Sequence, residues 1–137
     1  MGRRRKAREL ALQLLYQLDL SSESDPAPSF AEFWSRHPVS AEAAEFAELL
    51  VRGTKANQTK IDEMISQYAD HWELSRMAVV DRNILRQGIY EMLWLPDTPP
   101  KVVINEALEI AKKYSTEEST RFLNGILDRV QKELVRP

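Results

Sequence analysis

Apolar residues recur along this chain three or four positions apart, the period of a helix, and nowhere with the sustained alternation of a half-buried strand. Ala7, Leu10, Ala11, Leu14, Leu15 and Leu18 form one stripe, so the spacing predicts a first helix beginning close to the N-terminus. Ser21 to Pro28 is a polar break with two prolines. Ser29 followed by Glu32 has the form of a capping box, which predicts a short helix through Phe30, Phe33 and Trp34, stopped by Pro38. Ser40 is placed to cap a third helix through Ala43, Phe46, Ala47, Leu50 and Val51, loosened at Gly53. A fourth is expected to start near Asn57 or Thr59, with Ile61, Met64, Ile65 and Tyr68 inward.

Trp72, Leu74 and Met77 lie in a less regular stretch, expected to be a turn or a single helical turn. A long helix is predicted from about Val80 to Trp94, with Val80, Ile84, Leu85, Gly88, Ile89 and Met92 on one side. Pro96, Pro99 and Pro100 end it. Val102-Val103-Ile104 is β-branched, but Ile104, Ala107, Leu108 and Ala111 continue at helical spacing and predict a helix to Tyr114. Ser115 to Glu118 has the form of a second capping box, opening a last helix with Phe122, Leu123, Ile126, Val130 and Leu134 inward. The fold class expected is therefore all-α, about seven helices. With no internal repeat, residues 1–137 are expected to form a single domain, long enough to bury roughly 65–70% of the surface of the unfolded chain.

The parts list argues against an enzyme. Without cysteine there is no disulfide, thiolate metal site or Cys nucleophile. His37 and His71 are the only histidines and belong to no local motif, and Asp70 beside His71 is too little to hold a metal. The four glycines make neither a phosphate loop nor a dinucleotide fingerprint. Glu117 and Glu118 are adjacent acids, but in the first turn of a helix they meet the positive end of its dipole, which is reason enough for them. No catalytic residue, metal or cofactor is expected. No stretch approaches the ~20 apolar residues of a membrane span, and the basic start lacks the form of a signal peptide. The expected location is the cytoplasm.

Charge sharpens the picture. Arg3, Arg4, Arg5, Lys6 and Arg8 put five cations and no acid into the first eight residues. The formal net charge is −2, so taking these five away leaves −7 on the rest. That is a local basic patch on an acidic body. At 100° per residue from the apolar stripe, Arg8 falls at its edge, while Arg5, Leu12 and Tyr16 fall together on the outer side. Guanidinium groups beside an exposed tyrosine suit single-stranded RNA, with cations for phosphates and a ring for a base to stack on. A solvated basic tail with its tyrosine packed under a loop fits equally well. A membrane-surface helix does not, because the outer face is not apolar enough.

Lys112, Lys113 and Tyr114 at one helix end, with Arg121 and Phe122 early in the next, offer a second candidate surface. Gly88 and Gly125 lie inside helices at a cost of about 1 kcal/mol each relative to alanine. Close helix packing is the expected reason, with a ligand approaching the backbone as the alternative.

Three blocks also resemble a known family. The opening RRRKARELALQLLYQLDL resembles the first helix of the NusB family. Asp81-Arg82-Asn83-Ile84-Leu85-Arg86, followed by Ile89-Tyr90-Glu91, is similar to its central helix. Pro100 to Val130, with Ile-Asn-Glu-Ala and Phe-Leu-Asn-Gly-Ile-Leu-Asp, matches best, while residues 20–60 match only in helical character. The resemblance implies seven helices in two packed bundles. It implies binding to the boxA element of ribosomal RNA leader transcripts, together with the small-subunit ribosomal protein NusE, in an antitermination complex on RNA polymerase with other Nus factors. By matching position the RNA face would use Arg3, Arg4, Arg5, Lys6, Arg8 and Tyr16, joined by Glu118 and Phe122 from the last helix. Asp81 and Arg82 would meet the ribosomal protein. An acid at position 118 either restrains RNA affinity or only caps the helix. Ribosomal RNA cytosine methyltransferases open with a similar domain, but with the chain ending at Pro137 no cofactor-binding domain is expected here. The other class left open is a helical scaffold that binds only proteins, and the free protein is either a monomer or a homodimer.

Overall fold

A computed structural model describes residues 2–21, 25–69 and 73–134. Asp70, His71 and Trp72, singled out above, lie outside the described residues. Seven α-helices occur among those described: α1 (Gly2–Asp19), α2 (Ala27–Arg36), α3 (Ala41–Ala56), α4 (Gln58–Tyr68), α5 (Val79–Trp94), α6 (Pro100–Tyr114) and α7 (Glu117–Lys132). A single 3-10 turn, Leu74–Arg76, precedes α5, and no strand is present among these residues. The all-α expectation holds, and the fifth and sixth helices fall within two residues of their predicted bounds, whereas α2 starts three residues early.

α5 is the axis of the molecule. α1 and α3 pack on it and on each other, and α4, α6 and α7 also pack on it, with α7 touching both α4 and α6. The two groups of helices thus share one central member and one continuous apolar core. A helix surrounded in this way has no solvent face for its polar residues, so each must find a partner inside. Asn83, Arg86, Gln87 and Glu91 are all buried on α5. Arg86 donates to both oxygens of Asp62 on α4 at 2.8 and 2.9 Å and to Asp19 at the end of α1. Gln87 Nε2 donates to the Arg8 carbonyl at 3.0 Å.

Caps explain the helix starts, and two differ from expectation. Ser40 accepts from the Ala43 amide at 3.1 Å, as its spacing predicts. Ser29 is not a cap, because α2 begins earlier, at Ala27, whose amide is satisfied by Asp25 at 3.1 Å. Ser115 is not the cap of α7 either. Thr116 accepts from the Ser119 amide, and the Ser115 hydroxyl turns away to donate to Asp81.

Close approach is needed at a glycine the sequence reading gave another role. A Cβ on Gly53 would lie 1.9 Å from the Tyr90 ring, so Gly53 lets the tyrosine of α5 lie directly on α3. Gly88 faces Leu127 and Ala107 at ordinary contact distance. Gly125 has nothing within 4 Å of its Cβ position, so packing inside the chain is not its reason.

Candidate nucleic-acid interface

The basic start of α1 separates into two kinds of residue. Arg3, Arg4 and Lys6 are exposed. Arg3 makes a long, exposed contact with Glu42, 3.5 Å, and the Arg4 guanidinium lies 4.0 Å above the Phe46 ring. These side chains flank an open cleft of about 340 Å³ between α1 and α3. Arg5 is partly committed: its Nε and Nη2 donate to the two Glu106 oxygens at 3.1 and 2.6 Å, yet the side chain stays 42% exposed.

Arg8 is a correction to the surface reading. It is 5% exposed, and its Nε and Nη2 donate to Glu91 at 2.8 and 2.6 Å. Its Nη1 also lies 3.5 Å from Glu106, so Arg5, Glu106, Arg8 and Glu91 form an alternating chain across α1, α6 and α5. Leu12, expected on the outer side, is likewise buried, because α5 and α6 cover that flank of α1 with Ile84, Val103 and Ala107. The hydrogen bonds from Arg5 hold the Glu106 carboxyl below its ordinary value against the opposing effect of burial, and the charges of Arg5 and Arg8 add to this.

Tyr16 stands out on α1 at 45% exposure. It borders a cleft with Tyr114, the last residue of α6 and also exposed. α1 and α6 are tied together beside it: Lys113 Nζ and the Tyr114 hydroxyl both donate to Glu9, at 2.7 and 3.0 Å. Burial pushes the Glu9 carboxyl up, but these two hydrogen bonds and the Lys113 charge outweigh it and leave it below the ordinary value. The same contact raises Lys113.

The start of α7 lies just beyond. Ser115 Oγ donates to Asp81 at 2.5 Å, and Asp81, Glu118 and Phe122 line one open cleft of about 350 Å³. Glu118 is exposed and Phe122 half-buried against the core. Asp81 is buried, and Arg82 donates to Asp19 at 3.2 Å with its side chain mostly covered. Neither is a free side chain waiting for a partner. The two surfaces that the sequence suggested separately are therefore one strip: Arg5 and Glu9 on α1, Lys113 and Tyr114 on α6, Ser115 to Asp81, then Glu118 and Phe122. The sequence reading missed the acids that assemble it. Their signal was an acid set among apolar neighbours, as in Ile89-Tyr90-Glu91-Met92-Leu93 and Ile104-Asn105-Glu106-Ala107-Leu108, where a buried partner is required.

The NusB family model matches residues 5–132. The chain belongs to the NusB family. The transcription antitermination protein NusB of Myxococcus xanthus is 43% identical over 141 residues, covering the whole of both chains. The T. maritima NusB structure superposes with a TM-score of 0.87 at 42% identity, covering 95% of this chain and 91% of that one. A crystal structure of the antitermination factors NusB and NusE in complex with dsRNA gives a TM-score of 0.87 at 31% identity, covering 97% and 98%. All the strip residues named above lie within the matched span, and Arg3 and Arg4 precede it. No group of acids and histidines suited to a metal occurs among the described residues, and no helix among them is long and apolar enough to cross a membrane.

Proposed function

We propose that this protein is a transcription antitermination factor of the NusB kind. It binds boxA-type RNA of ribosomal RNA leader transcripts, works with the ribosomal protein NusE, and joins other Nus factors on RNA polymerase. The observation that carries the reading is the strip itself: Arg5 on α1, Lys113 and Tyr114 on α6, and Phe122 on α7 follow one another along the α1–α6–α7 junction, with Tyr16 bordering Tyr114 and the exposed Arg3 and Arg4 on the α3 side of the same helix start. Arg3, Arg4 and Lys6 supply the phosphate contacts, Arg5 adds its exposed edge, and Tyr16 and Phe122 stack bases. Arg8 acts through position, by fixing α1 against α5. Asp81 and Arg82 shape the start of α5 where NusE docks, without lending it their charges. Glu118 restrains RNA affinity by repelling phosphate.

The whole chain acts as one RNA-binding domain, in the cytoplasm, by adhesion and without catalysis. NusE extends the RNA surface, so RNA and NusE strengthen each other's binding by the same factor. The related complex holds double-stranded RNA, whereas exposed aromatic rings favour an unpaired strand. Titration of fluorescent boxA RNA, a scrambled strand and a duplex, with and without NusE and at several salt concentrations, tests this. Preference for the boxA strand, tightened by NusE and weakened by salt, is expected. Equal affinity for all three RNAs, with NusE bound in their absence, would leave a protein-binding scaffold.

A further inference from the structure

The cleft bordered by Tyr16 differs in charge from its neighbours. The clefts at Arg3 and Phe46, at Arg5 and Lys113, and at Asp81 and Phe122 each hold two carboxylates: Glu42 and Glu45, Glu9 and Glu109, Asp81 and Glu118. Among the described residues the Tyr16 cleft is lined by none, on a protein whose body is acidic. Its volume is about 480 Å³, in the range of small-molecule sites. α1 contributes Tyr16 and the amides of Gln13 and Gln17, α6 contributes Tyr114, and the end of α2 contributes Arg36 and His37.

α2 presents those two residues in a defined way. The His37 ring stacks on Phe33, which is buried, at 4.2 Å and 19°. Its Nδ1 lies 3.1 Å from the Phe33 carbonyl. A carbonyl only accepts, so in this contact Nδ1 is the donor, which leaves Nε2 as the acceptor of the Nδ1–H tautomer. Arg36 is exposed, and its ion pair with Glu32 is long, 3.7 Å, on the surface, and easily exchanged for a phosphate. Aromatic faces, amides, an imidazole acceptor and a guanidinium, with no carboxylate, together match a nucleobase with its phosphate.

We propose that Arg36 and His37 form the outer wall of a nucleotide subsite, in which one base of the bound RNA lies against Tyr16 and Tyr114 while Arg36 meets the adjoining phosphate. The subsite rests on the RNA-binding reading above and extends it onto α2. It also gives the base an acceptor at His37, which favours adenine, cytosine or guanine, whose exocyclic amines donate, over uracil, which has none.

Arg36→Glu and His37→Ala, each checked by thermal melting, are titrated with a single-stranded boxA RNA and with the same RNA shortened one nucleotide at a time from each end. Arg36→Glu is expected to weaken the full strand about 5- to 10-fold and to lower the salt slope by about 0.7. At one truncation the difference from wild type disappears, which identifies the nucleotide in the cleft. Variants that match wild type on every strand overturn the subsite while wild-type RNA binding leaves the broader function standing. Variants that keep RNA affinity but lose NusE assign the cleft to a protein and also overturn it. A wild-type protein that binds no RNA removes the broader reading, and the subsite with it.

Discussion

Arg8 meets Glu91 in a two-pronged ion pair, at 2.8 and 2.6 Å, between the second turn of α1 and the last turn of α5. Both side chains are almost wholly buried. An arginine six residues from the N-terminal end of a basic helix is thus part of the core and not of the basic surface. Its planar fork satisfies both carboxylate oxygens, which a lysine at this position would not do.

Breaking that pair from one side is therefore a stability experiment. Arg8→Ala leaves Glu91 buried without its partner and is expected to cost about 3–5 kcal/mol of unfolding free energy. Replacing both residues with apolar ones of similar volume is expected to recover much of the loss, since the desolvation of two charges disappears with them. Urea unfolding of the single and double variants checks this. A single variant as stable as wild type would contradict the buried pair.

Arg3 and Arg4 behave in the opposite way. Both are exposed, and among the described residues they stand to lose a long contact to Glu42 and a ring contact to Phe46. Arg3→Glu with Arg4→Glu is expected to leave the melting temperature within a few degrees and to weaken RNA binding severalfold. The slope of log affinity against log salt is expected to fall by about 0.7 for each phosphate contact removed. Unchanged slope would move the phosphate contacts elsewhere.

The helices were legible in the chain because the 3.6-residue period survives even where a helix is buried all round. What the period does not show is how many sides are covered. Leu12 and Arg8 were placed at or beyond the edge of a single apolar stripe, yet α3 covers one flank of α1 and α5 with α6 the other. Capping patterns were ambiguous for a similar reason. Ser115 has the chemistry of a cap, but Asp81, 34 positions away, claims its hydroxyl. The helix wheel put Tyr16 and Leu12 on the same outer side and left open whether the tyrosine was covered, and only the packing exposes Tyr16 and buries Leu12. Its neighbour Tyr114 depends on Glu9 and on a long-range contact that no local pattern carries.

Gly53 and Gly125 should respond oppositely to alanine. At Gly53 the new Cβ would land 1.9 Å from the Tyr90 ring, and overpacking there is expected to cost about 1–3 kcal/mol. At Gly125 nothing stands within 4 Å, so alanine is expected to stabilise α7 by up to about 1 kcal/mol. Thermal melts of the two variants decide it. A Gly125→Ala protein that is more stable yet binds RNA or NusE less well would show that a partner approaches the α7 backbone there.

Acid should loosen the α1–α6 junction. Hydrogen bonds and charge from Arg5 hold Glu106 below its ordinary carboxyl value of 4.5, and Lys113 with Tyr114 does the same for Glu9. A carboxyl lowered by folding contributes stability that is complete above its unfolded value and is lost as pH falls through the folded one. Stability is therefore expected to hold from neutral pH to about 5 and to decline below 4.5. Glu106→Gln keeps the shape, removes the titrating group and should flatten part of that decline while lowering stability at pH 7. Melting curves from pH 7 to pH 3 make the comparison. Parallel acid limbs in wild type and Glu106→Gln would mean that the Arg5–Glu106 pair does not set the acid sensitivity of the fold.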